Sequence, residues 1–364
     1  MKKFLVILVV VLLGGGGALV ATGYDVDDVG DLFEDEQSPA SEEEQPYRPS
    51  SSVSGDWYTV YFVPGDTVEE HLIDLVNGAA ESVLAAIQEI NLEAVSTAFI
   101  EADDRGVDVK IIIEEDYSDP SKEKAFAQYS RLNNMGLVKT DHRSALMHNK
   151  FVVIDGKTVW TGSTNMTEYG VNGNNNNVIV IDSQELALNF TTEFNEMWEG
   201  EFGVTSPSDT PYPELDLDGT IVETYFAPED DVEEQIIQEL KQAQESIYFA
   251  AFTFTSDPIE AELLAKTEEG LEIKGILEKR QGANSSAYAL LEDAGIPVLW
   301  DGNSRTMHHK IFILDSETVI TGSFNFTSNA NKSNDENILI VHNPDIANAF
   351  YKEFSSMWDE WDEG

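Results

Sequence analysis

The sequence predicts an α/β protein built from two similar halves, each an α/β sandwich around a mixed sheet. Short apolar segments alternate with amphipathic ones along most of the 364 residues, which is the pattern of strands and helices in α/β proteins. A group of four residues recurs 160 positions along the chain, as Met147-His148-Asn149-Lys150 and Met307-His308-His309-Lys310. A hydrophobic fraction of 41% is enough for each half to bury a core of its own.

The first half covers residues 56–205 and opens with a strand. Alternation with a period of two indicates the strands, and apolar residues three or four positions apart indicate the helices. In chain order the pattern predicts a strand at 58–63, a helix at 68–79, a strand at 82–88, a helix at 94–105, a strand at 107–114 and a helix at 122–135. The strand of the His-x-Lys pair, a return strand and a final helix complete the unit.

The second half, residues 219–364, repeats this order. Strands are predicted at 221–226, 246–252 and 272–278, and helices at 232–243, 258–269 and 283–294. Near its start the repeat distance is 164 rather than 160, so a short insertion or deletion separates the two ends of the repeat. Residues 206–218, which begin with a segment rich in Ser and Pro, are predicted to be the linker between the halves.

Residues 1–23 are predicted to be a signal peptide or a membrane anchor. Lys2 and Lys3 precede 20 uncharged residues, a length that only just suffices for a membrane span and also fits a signal peptide. Residues 24–55 hold ten acidic residues and one arginine, together with Ser and Pro, and are predicted to be a flexible tether. Both interpretations place the rest of the chain, residues 56–364, outside the cytoplasmic membrane, either secreted or membrane-anchored. We call residues 56–364 the body of the protein.

The charge of the chain is strongly acidic. The formal net charge is −47, from 68 acidic and 21 basic side chains, and most of this excess lies on the body rather than on the tether. Such a body repels itself at low ionic strength, whereas salt shortens the Debye length to about 3 Å at 1 M. The charge therefore predicts a salt-rich working environment. The sequence contains no cysteine, which excludes disulfides and thiolate metal sites.

The repeated group belongs to a longer pattern. It reads His-x-Lys, four residues, Asp, six residues, and then Gly-Ser-x-Asn. Both copies are complete and in register with the duplication, which chance would rarely produce. The first copy consists of His148, Lys150, Asp155, Gly162, Ser163 and Asn165, and the second of His308, Lys310, Asp315, Gly322, Ser323 and Asn325.

The residue types of this pattern suit phosphate chemistry. Because side chains alternate along a strand, the histidine and lysine of each copy share one face, and His309 is turned to the opposite face. The apolar run that follows continues each strand into the core, and the return strand brings the serine and asparagine back beside the pair. Imidazole, ammonium, hydroxyl and amide together form a phosphate-binding set that contains a nucleophile.

The two copies resemble the HKD motifs of the phospholipase D superfamily, and residues 56–361 resemble its two-repeat form. The resemblance implies sandwich repeats packed about a pseudo-twofold axis, with both motifs in one active site. It implies that one histidine attacks phosphorus to form a phosphohistidine and that the other acts as general acid and then base. Phosphate oxygens would be held without a metal or other cofactor by Lys150, Ser163, Asn165, Lys310, Ser323 and Asn325. Structural roles are implied for Asp155, Gly162, Asp315 and Gly322.

Glu336 distinguishes the two histidines. It lies eleven positions after Asn325, where members of the superfamily keep an acid that orients a histidine, commonly of the opposite repeat. The corresponding residue of the first half is Asn176. Since a carboxylate behind an imidazole fixes its tautomer and raises its basicity, we predict that Glu336 supports His148 as the nucleophile. His308, supported by Asn176, is then the general acid.

The substrate class has more than one interpretation. An extracytoplasmic enzyme beside a membrane has phospholipid at hand, so hydrolysis of a phospholipid head group, or transfer of the phosphatidyl group to an alcohol, is the leading prediction. Residues 322–337 resemble the nuclease branch of the superfamily, which makes an endonuclease the alternative, although the body lacks a basic stripe for nucleic acid. A third interpretation is an inactive scaffold that binds anionic ligands. Two complete motifs in one chain predict a monomer.

Overall fold

The computed structural model describes residues 52–282 and 287–362. The predicted signal peptide or anchor at 1–23 lies outside these residues, as does nearly all of the predicted tether at 24–55. The start of the helix predicted at 283–294 also lies outside them. Within the described residues, no helix combines the length and the apolar character that a membrane span requires.

The first half is built on a mixed sheet of eight strands. They are β1 (Val53–Ser54), β2 (Tyr58–Val63), β3 (Ser82–Ile87), β4 (Asp108–Ile113), β5 (Val138–Thr140), β6 (Lys150–Ile154), β7 (Thr158–Gly162) and β8 (Asn176–Asp182). Their spatial order is β1-β2-β8-β7-β6-β3-β4-β5. The β3–β4 and β4–β5 pairs are parallel and the others antiparallel. β3 and β6 are apolar and buried almost throughout, because they lie in the middle of the sheet.

Helices cover both faces of this sheet. They are α1 (Val68–Gly78), α2 (Glu93–Asp104), α3 (Glu123–Asn134), the short α4 (Glu168–Asn172) and α5 (Gln184–Glu199). α1 buries Val68, Leu72 and Val76, which are spaced four residues apart and therefore form one stripe. This stripe packs with residues of β3 and β4 in one apolar core.

The second half repeats the same plan. Its strands are β9 (Glu214–Leu217), β10 (Thr220–Ala227), β11 (Ser246–Ala251), β12 (Glu272–Leu277), β13 (Val298–Trp300), β14 (Lys310–Leu314), β15 (Thr318–Gly322) and β16 (Glu336–His342). Its helices are α6 (Val232–Gln242), α7 (Asp257–Glu269), α8 (Ala287–Asp293), α9 (Ser328–Lys332) and α10 (Pro344–Trp361). The strand order β13-β12-β11-β14-β15-β16-β10-β9 is that of the first sheet.

The halves are related by a pseudo-twofold axis, and the contacts between them are reciprocal. Met147 bridges to Asp335, and Asn175, which corresponds to Asp335, bridges to Met307. These two bridges are thus the reverse of each other. The predicted α/β class, with two mixed-sheet repeats, is confirmed.

An apolar core shared by both halves lies between them. The final helices α5 and α10 supply Phe190, Phe194, Phe350 and Phe354 to it. The Phe190 ring packs edge-on against Phe151 of its own half and Phe226 of the other, at centroid distances of 5.0 and 5.2 Å. Burial of one such ring contributes about 1.5–3 kcal/mol, so separating the halves would expose a large apolar surface at high cost. This core fixes the relative position of the two His-x-Lys motifs.

Two segments predicted to be irregular contain strands. β9 lies inside the predicted linker at 206–218 and pairs with β10 through a turn at Asp218 and Gly219, whose φ angles are 54° and 85°. Asp-Gly is a favoured two-residue hairpin turn, and the linker is therefore shorter than predicted. β1 falls at the end of the predicted tether, where Val53 pairs with Val60, so the ordered body begins before residue 56.

Candidate active site

Contacts between the halves hold the histidines of both motifs in place. The backbone N–H of His148 donates to the carbonyl of Asp335, and that of His308 donates to the carbonyl of Asn175, each at 2.9 Å. Each histidine lies two residues before its lysine, which is the first residue of β6 or β14. Each His-x-Lys pair therefore lies where its strand begins. Both imidazoles are buried, with residue exposures of 5% and 4%. The two motifs therefore meet in one site, as the resemblance implies.

Glu336 is a direct partner of His148, across the interface between the halves. The Nδ1 atom of His148 lies 2.6 Å from Oε2 of Glu336. Two further donors hold the carboxylate, since the Ser323 hydroxyl donates to Oε2 at 2.8 Å and the Asn334 amide donates to Oε1 at 3.2 Å. With Nδ1–H directed at the carboxylate, the Nε2 lone pair of His148 is left for chemistry.

Asn176 takes the same position behind His308. The Nδ1 atom of His308 lies 2.9 Å from Oδ1 of Asn176 and 3.1 Å from the carbonyl of Ser163. The Asn176 amide donates in turn to the carbonyl of Gly170, which fixes which of its two ends faces the imidazole. His308 therefore has two neutral acceptors where His148 has a carboxylate, and the two histidines differ in basicity.

The charges around the histidines come from both halves. Burial lowers the pKa of His148 to about 4, against the opposing effect of Glu336, and the positive charges of Lys150 and Lys310 lower it further. Burial and the same two lysines also hold the pKa of His308 well below its usual value. Although burial acts in the opposite direction, the adjacent imidazole holds the pKa of Glu336 below its usual range. These shifts favour a neutral imidazole at His148 beside an ionised carboxylate at Glu336.

The two lysines lie in different surroundings. Each ammonium donates at 2.9 Å to the carbonyl of the histidine two positions before it. Lys150 also donates to the side-chain carbonyl of Gln88 at 3.1 Å, whereas Lys310 lies 4.9 Å from the centre of the Phe252 ring. Both lysines are almost fully buried, so the charges that they place in the site are poorly screened by water.

The asparagines and serines of the Gly-Ser-x-Asn groups have different roles. Asn165 is buried and Asn325 half-buried, and the buried side-chain oxygen of each has no hydrogen-bond partner among the described residues. Because this oxygen can only accept, a phosphate oxygen cannot pair with it, and the predicted phosphate contact would have to use the amide N–H donors instead. The hydroxyls of Ser163 and Ser323 instead donate to Asn176 and to Glu336.

The serine geometry differs from the direct phosphate contact that we predict for Ser163 and Ser323. A hydroxyl has one proton, and each of these is directed at the side chain that orients a histidine, at 2.8 Å. Each serine oxygen also accepts the backbone N–H of the residue one position further on, Asn177 or Asn337, at 3.0 Å. The serines therefore act as positioning residues.

The two motif aspartates lie away from the histidines. Asp155 has a φ of 51°, and its carboxylate accepts the backbone N–H groups of residues 80, 81 and 82 at 2.7–3.1 Å. Asp315 has a φ of 54° and accepts those of residues 244, 245 and 246 at 2.8 Å. Each aspartate thus joins the β6–β7 or β14–β15 turn to the start of β3 or β11. This is the structural role that the resemblance implies.

The motif glycines allow a close approach of two backbones. A Cβ atom on Gly162 would lie 2.4 Å from the carbonyl oxygen of Asn177, and one on Gly322 would lie 2.1 Å from that of Asn337. Both distances are shorter than real contacts, so a side chain would push β8 or β16 away. Because those strands begin with Asn176 and Glu336, the glycines set the position of the groups behind the histidines.

We expect Gly162→Ala to destabilise the protein by about 1–3 kcal/mol, because the new methyl group meets backbone that cannot yield without moving β8. Chemical unfolding of the purified protein measures the change. Gly78→Ala is the matched control, since a Cβ atom there has nothing within 4 Å. Equal stability of the two variants would contradict the proposed role of Gly162.

Several residues that support the site are absent from the sequence prediction. Glu114 and Glu278 accept the backbone N–H of Met147 and Met307, the residues just before the histidines, at 2.6 and 2.7 Å. Burial and the negative charge of Asp141 raise the pKa of Glu114 to about 8. The signal that could have found these glutamates is their spacing of 164, which is that of the early part of the repeat.

A network of asparagine amides lies behind the two His-x-Lys pairs. Asn337 accepts from Thr161 at 2.9 Å and donates to Asn149 at 2.7 Å, so it joins the two halves. In the reverse contact, Asn177 lies 3.0 Å from Nδ1 of His309. The His309 side chain therefore lies in this network, on the face turned away from the catalytic pair.

Among the described residues, one group has the geometry of metal ligands. Oxygen and nitrogen atoms of Glu223, Glu239 and His342 all lie within 4.8 Å of one another. His342 forms an ion pair with Glu223 at 2.9 Å, and this hydrogen bond raises the pKa of the imidazole. The ion pair accounts for the arrangement of these three residues.

Two α/β repeats whose His-x-Lys pairs meet at one buried site define a two-motif HKD protein. The family model described as "Cardiolipin synthase, PLD-like domain" matches residues 72–198 and 236–358, which together make up more than half of the chain. The chain belongs to this phospholipase D-like family.

Relatives agree with this assignment, and a solved structure shares the fold. The chain is 36% identical over 129 residues to a mitochondrial cardiolipin hydrolase of Xenopus laevis, a match that covers 35% of this chain and 61% of the relative. It is 32% identical over 136 residues to a phospholipase D of Rickettsia typhi, covering 37% and 67%. The chain thus spans about three fifths of the length of the first relative. The fold is similar to phosphatidylserine synthase of Haemophilus influenzae, with a TM-score of 0.65, 13% identity and coverage of 82% and 86%.

Proposed function

We propose that this protein is a phosphodiesterase of the phospholipase D type, which hydrolyses a phospholipid head-group diester or transfers the phosphatidyl group to an alcohol. The observation that carries the proposal is the contact between His148 and Glu336, repeated with an amide in place of the acid at His308. One imidazole is thereby prepared as a nucleophile and the other as a proton carrier, in a site that also holds two ammonium groups.

The first half-reaction forms a covalent intermediate. The Nε2 atom of His148 attacks phosphorus, a nitrogen–phosphorus bond forms, and the bond from phosphorus to the leaving alcohol oxygen breaks. His308 donates its proton to that oxygen. The bound diester brings a negative charge next to His308, which offsets the lysines and favours the protonated imidazole that this step needs.

The second half-reaction restores the enzyme. The now neutral His308 takes a proton from water or from an acceptor alcohol, whose oxygen then attacks phosphorus. The nitrogen–phosphorus bond breaks, and its electron pair returns to His148. In both steps Lys150, Lys310, Asn165 and Asn325 stabilise the charge on the non-bridging oxygens, with the lysines acting through full charges in a buried site.

A lipid substrate is favoured over nucleic acid by charge and by the relatives. Relatives at 31–36% identity are named mitochondrial cardiolipin hydrolase or phospholipase D. A chain with a net charge of −47 repels a polyanion such as DNA unless the salt concentration is high. An endonuclease remains the second candidate, on the resemblance of residues 322–337. We also propose that the body works outside the cytoplasmic membrane, tethered or secreted through residues 1–55.

A paired assay tests the function. Full-length protein is offered vesicles of phosphatidylcholine, phosphatidylglycerol or cardiolipin, and separately single- and double-stranded DNA, each at low and at molar salt. We expect head-group release in the lipid arm, with higher activity at molar salt because screening relieves the self-repulsion of the acidic body. His148→Asn is the control for contaminating enzymes.

The outcomes separate the candidate functions. Head-group release that His148→Asn abolishes supports the phospholipase. Cleavage of DNA alone, again lost in the variant, would replace it with the nuclease. No turnover in either arm at either salt concentration would contradict the proposal and favour a binding scaffold.

A further inference from the structure

Arg305 and Tyr169 form a pair that bridges the two halves near His308. The guanidinium carbon of Arg305 lies 4.3 Å from the centre of the Tyr169 ring, a cation–π distance. Both side chains are partly exposed. The contact places a positive group next to an aromatic ring, which attracts it electrostatically.

Short covalent and hydrogen-bonded paths connect this pair to His308. Arg305 lies three positions before His308, and its backbone N–H donates to the side chain of Asn303 at 2.7 Å. Tyr169 precedes Gly170, whose carbonyl accepts from Asn176, the partner of His308. The pair therefore lies at the border of the site on the side of the predicted general acid.

Arg305 differs from the other arginines of this region in its charge balance. Arg143 forms ion pairs with Asp141 and Asp335, and Arg280 lies 3.9 Å from a carboxylate oxygen of Glu278. Arg305 forms no ion pair with any residue in the described parts of the chain, in a protein with 68 acidic side chains. It thus carries a net positive charge to the border of the site.

The pair has no counterpart in the other half. By the repeat distance of 160, the positions that correspond to Arg305 and Tyr169 are Ala145 and Asn329. The catalytic histidines, lysines and asparagines are all duplicated, whereas this positive group is present on one side alone. An asymmetric charge fits the asymmetry of the reaction, in which the leaving group departs on the side of His308.

From this placement we infer that Arg305, held on Tyr169, binds a second phosphate carried by the leaving group of the substrate. The substrate class is then a phospholipid diester whose leaving alcohol is itself phosphorylated, as in cardiolipin or phosphatidylglycerol phosphate, rather than one with a neutral or cationic head group. A guanidinium makes strong bidentate hydrogen bonds to phosphate. This inference rests on the proposed function, because it takes His308 as the group that protonates the leaving oxygen.

Two short-chain lipids test the inference in solution, without a membrane surface. Dihexanoyl phosphatidylglycerol and dihexanoyl phosphatidylglycerol phosphate differ by the second phosphate alone. We expect Arg305→Gln to lower kcat/KM for the phosphorylated lipid by about 10- to 100-fold, because a charged hydrogen bond is lost. The kcat/KM for phosphatidylglycerol should change by less than about twofold, because this lipid has no second phosphate. Arg131→Gln removes a charge from the exposed helix α3 and serves as the matched control.

Variants of Tyr169 provide an independent readout. Tyr169→Phe keeps the ring beneath the guanidinium and should retain the preference for the phosphorylated lipid, whereas Tyr169→Leu should reduce it. An equal loss on both lipids in Arg305→Gln, or no loss on either, would overturn the inference and leave the phospholipase intact. If the wild-type protein cleaved neither of these lipids nor any vesicle of the paired assay, the proposed function would fail first. If it cleaved lipid vesicles but not the phosphorylated short-chain lipid, the inference alone would fail. Cleavage of single-stranded DNA with the same dependence on Arg305 would assign the charge to nucleic acid instead.

Discussion

Replacing either catalytic histidine by asparagine should lower turnover of a natural diester by about 1,000-fold or more, but only one replacement should prevent the covalent intermediate from forming. A p-nitrophenyl phosphodiester separates the two cases, because p-nitrophenolate leaves without being protonated. His308→Asn should then release one nitrophenolate per active site in a burst and stall, since no base activates water. His148→Asn should show no burst, because the nucleophile is missing.

Mass spectrometry of the stalled protein identifies the nucleophile directly. In His308→Asn, the added phosphoryl group should be found on the peptide that contains His148. An adduct on His308 in the His148→Asn protein, together with no adduct in His308→Asn, would reverse the assignment. His142→Asn is a suitable control, since this histidine is exposed and has a φ of 54°, a conformation that asparagine tolerates.

The part of the site that the sequence predicts is the part encoded by spacing. The His-x-Lys pairs lie on one strand each, so the period of two determined their common face, and the fixed distance of 160 related the two copies. The correspondence of Glu336 to Asn176 also follows from that distance. All of these relations can be counted along the sequence without knowing which segments the fold brings together.

The parts that were missed depend on contacts between distant segments. The Asn174–Asn177 run has the composition of a loop, yet β8 begins within it, because the amides of Asn176 and Asn177 are paired to groups of both halves. The direction of each serine hydroxyl likewise depends on a strand 13 residues away. Composition cannot reveal such partners before the fold brings them together.

After the histidine replacements, the largest loss of turnover should come from neutralising Glu336, the carboxylate that contacts His148. We expect Glu336→Gln to lower kcat by about 100-fold or more, while the protein stays folded. The carboxylate can only accept a hydrogen bond, so it fixes the tautomer of His148 that presents Nε2 as a lone pair. A glutamine can also donate, and its amide group would favour the opposite tautomer, which carries a proton on Nε2 and cannot attack.

Asn176→Asp gives the complementary test, because it adds a charge behind His308 without removing one behind His148. A carboxylate there stabilises the imidazolium and raises the pKa of His308. With the p-nitrophenyl diester the leaving group takes no proton, so formation of the intermediate should change little. A larger fraction of His308 stays protonated and cannot take a proton from water, so resolution of the intermediate should slow. Pre-steady-state bursts with the p-nitrophenyl diester measure the two steps separately, and an effect on formation alone would contradict the role of His308 as the proton carrier.

The pH profile distinguishes a lost charge behind His148 from a general loss of structure. In the free protein, burial lowers the pKa of His148 to about 4, while Glu336 acts to raise it. His148 must be unprotonated to attack, so activity rises with pH through that pKa. Without the carboxylate the imidazolium loses its partner and its pKa falls further, and the acid limb of kcat/KM should therefore move to lower pH in Glu336→Gln. A merely disordered site would lower activity without moving this limb, and an acid limb that moved to higher pH would contradict the assignment of His148 as the group that titrates.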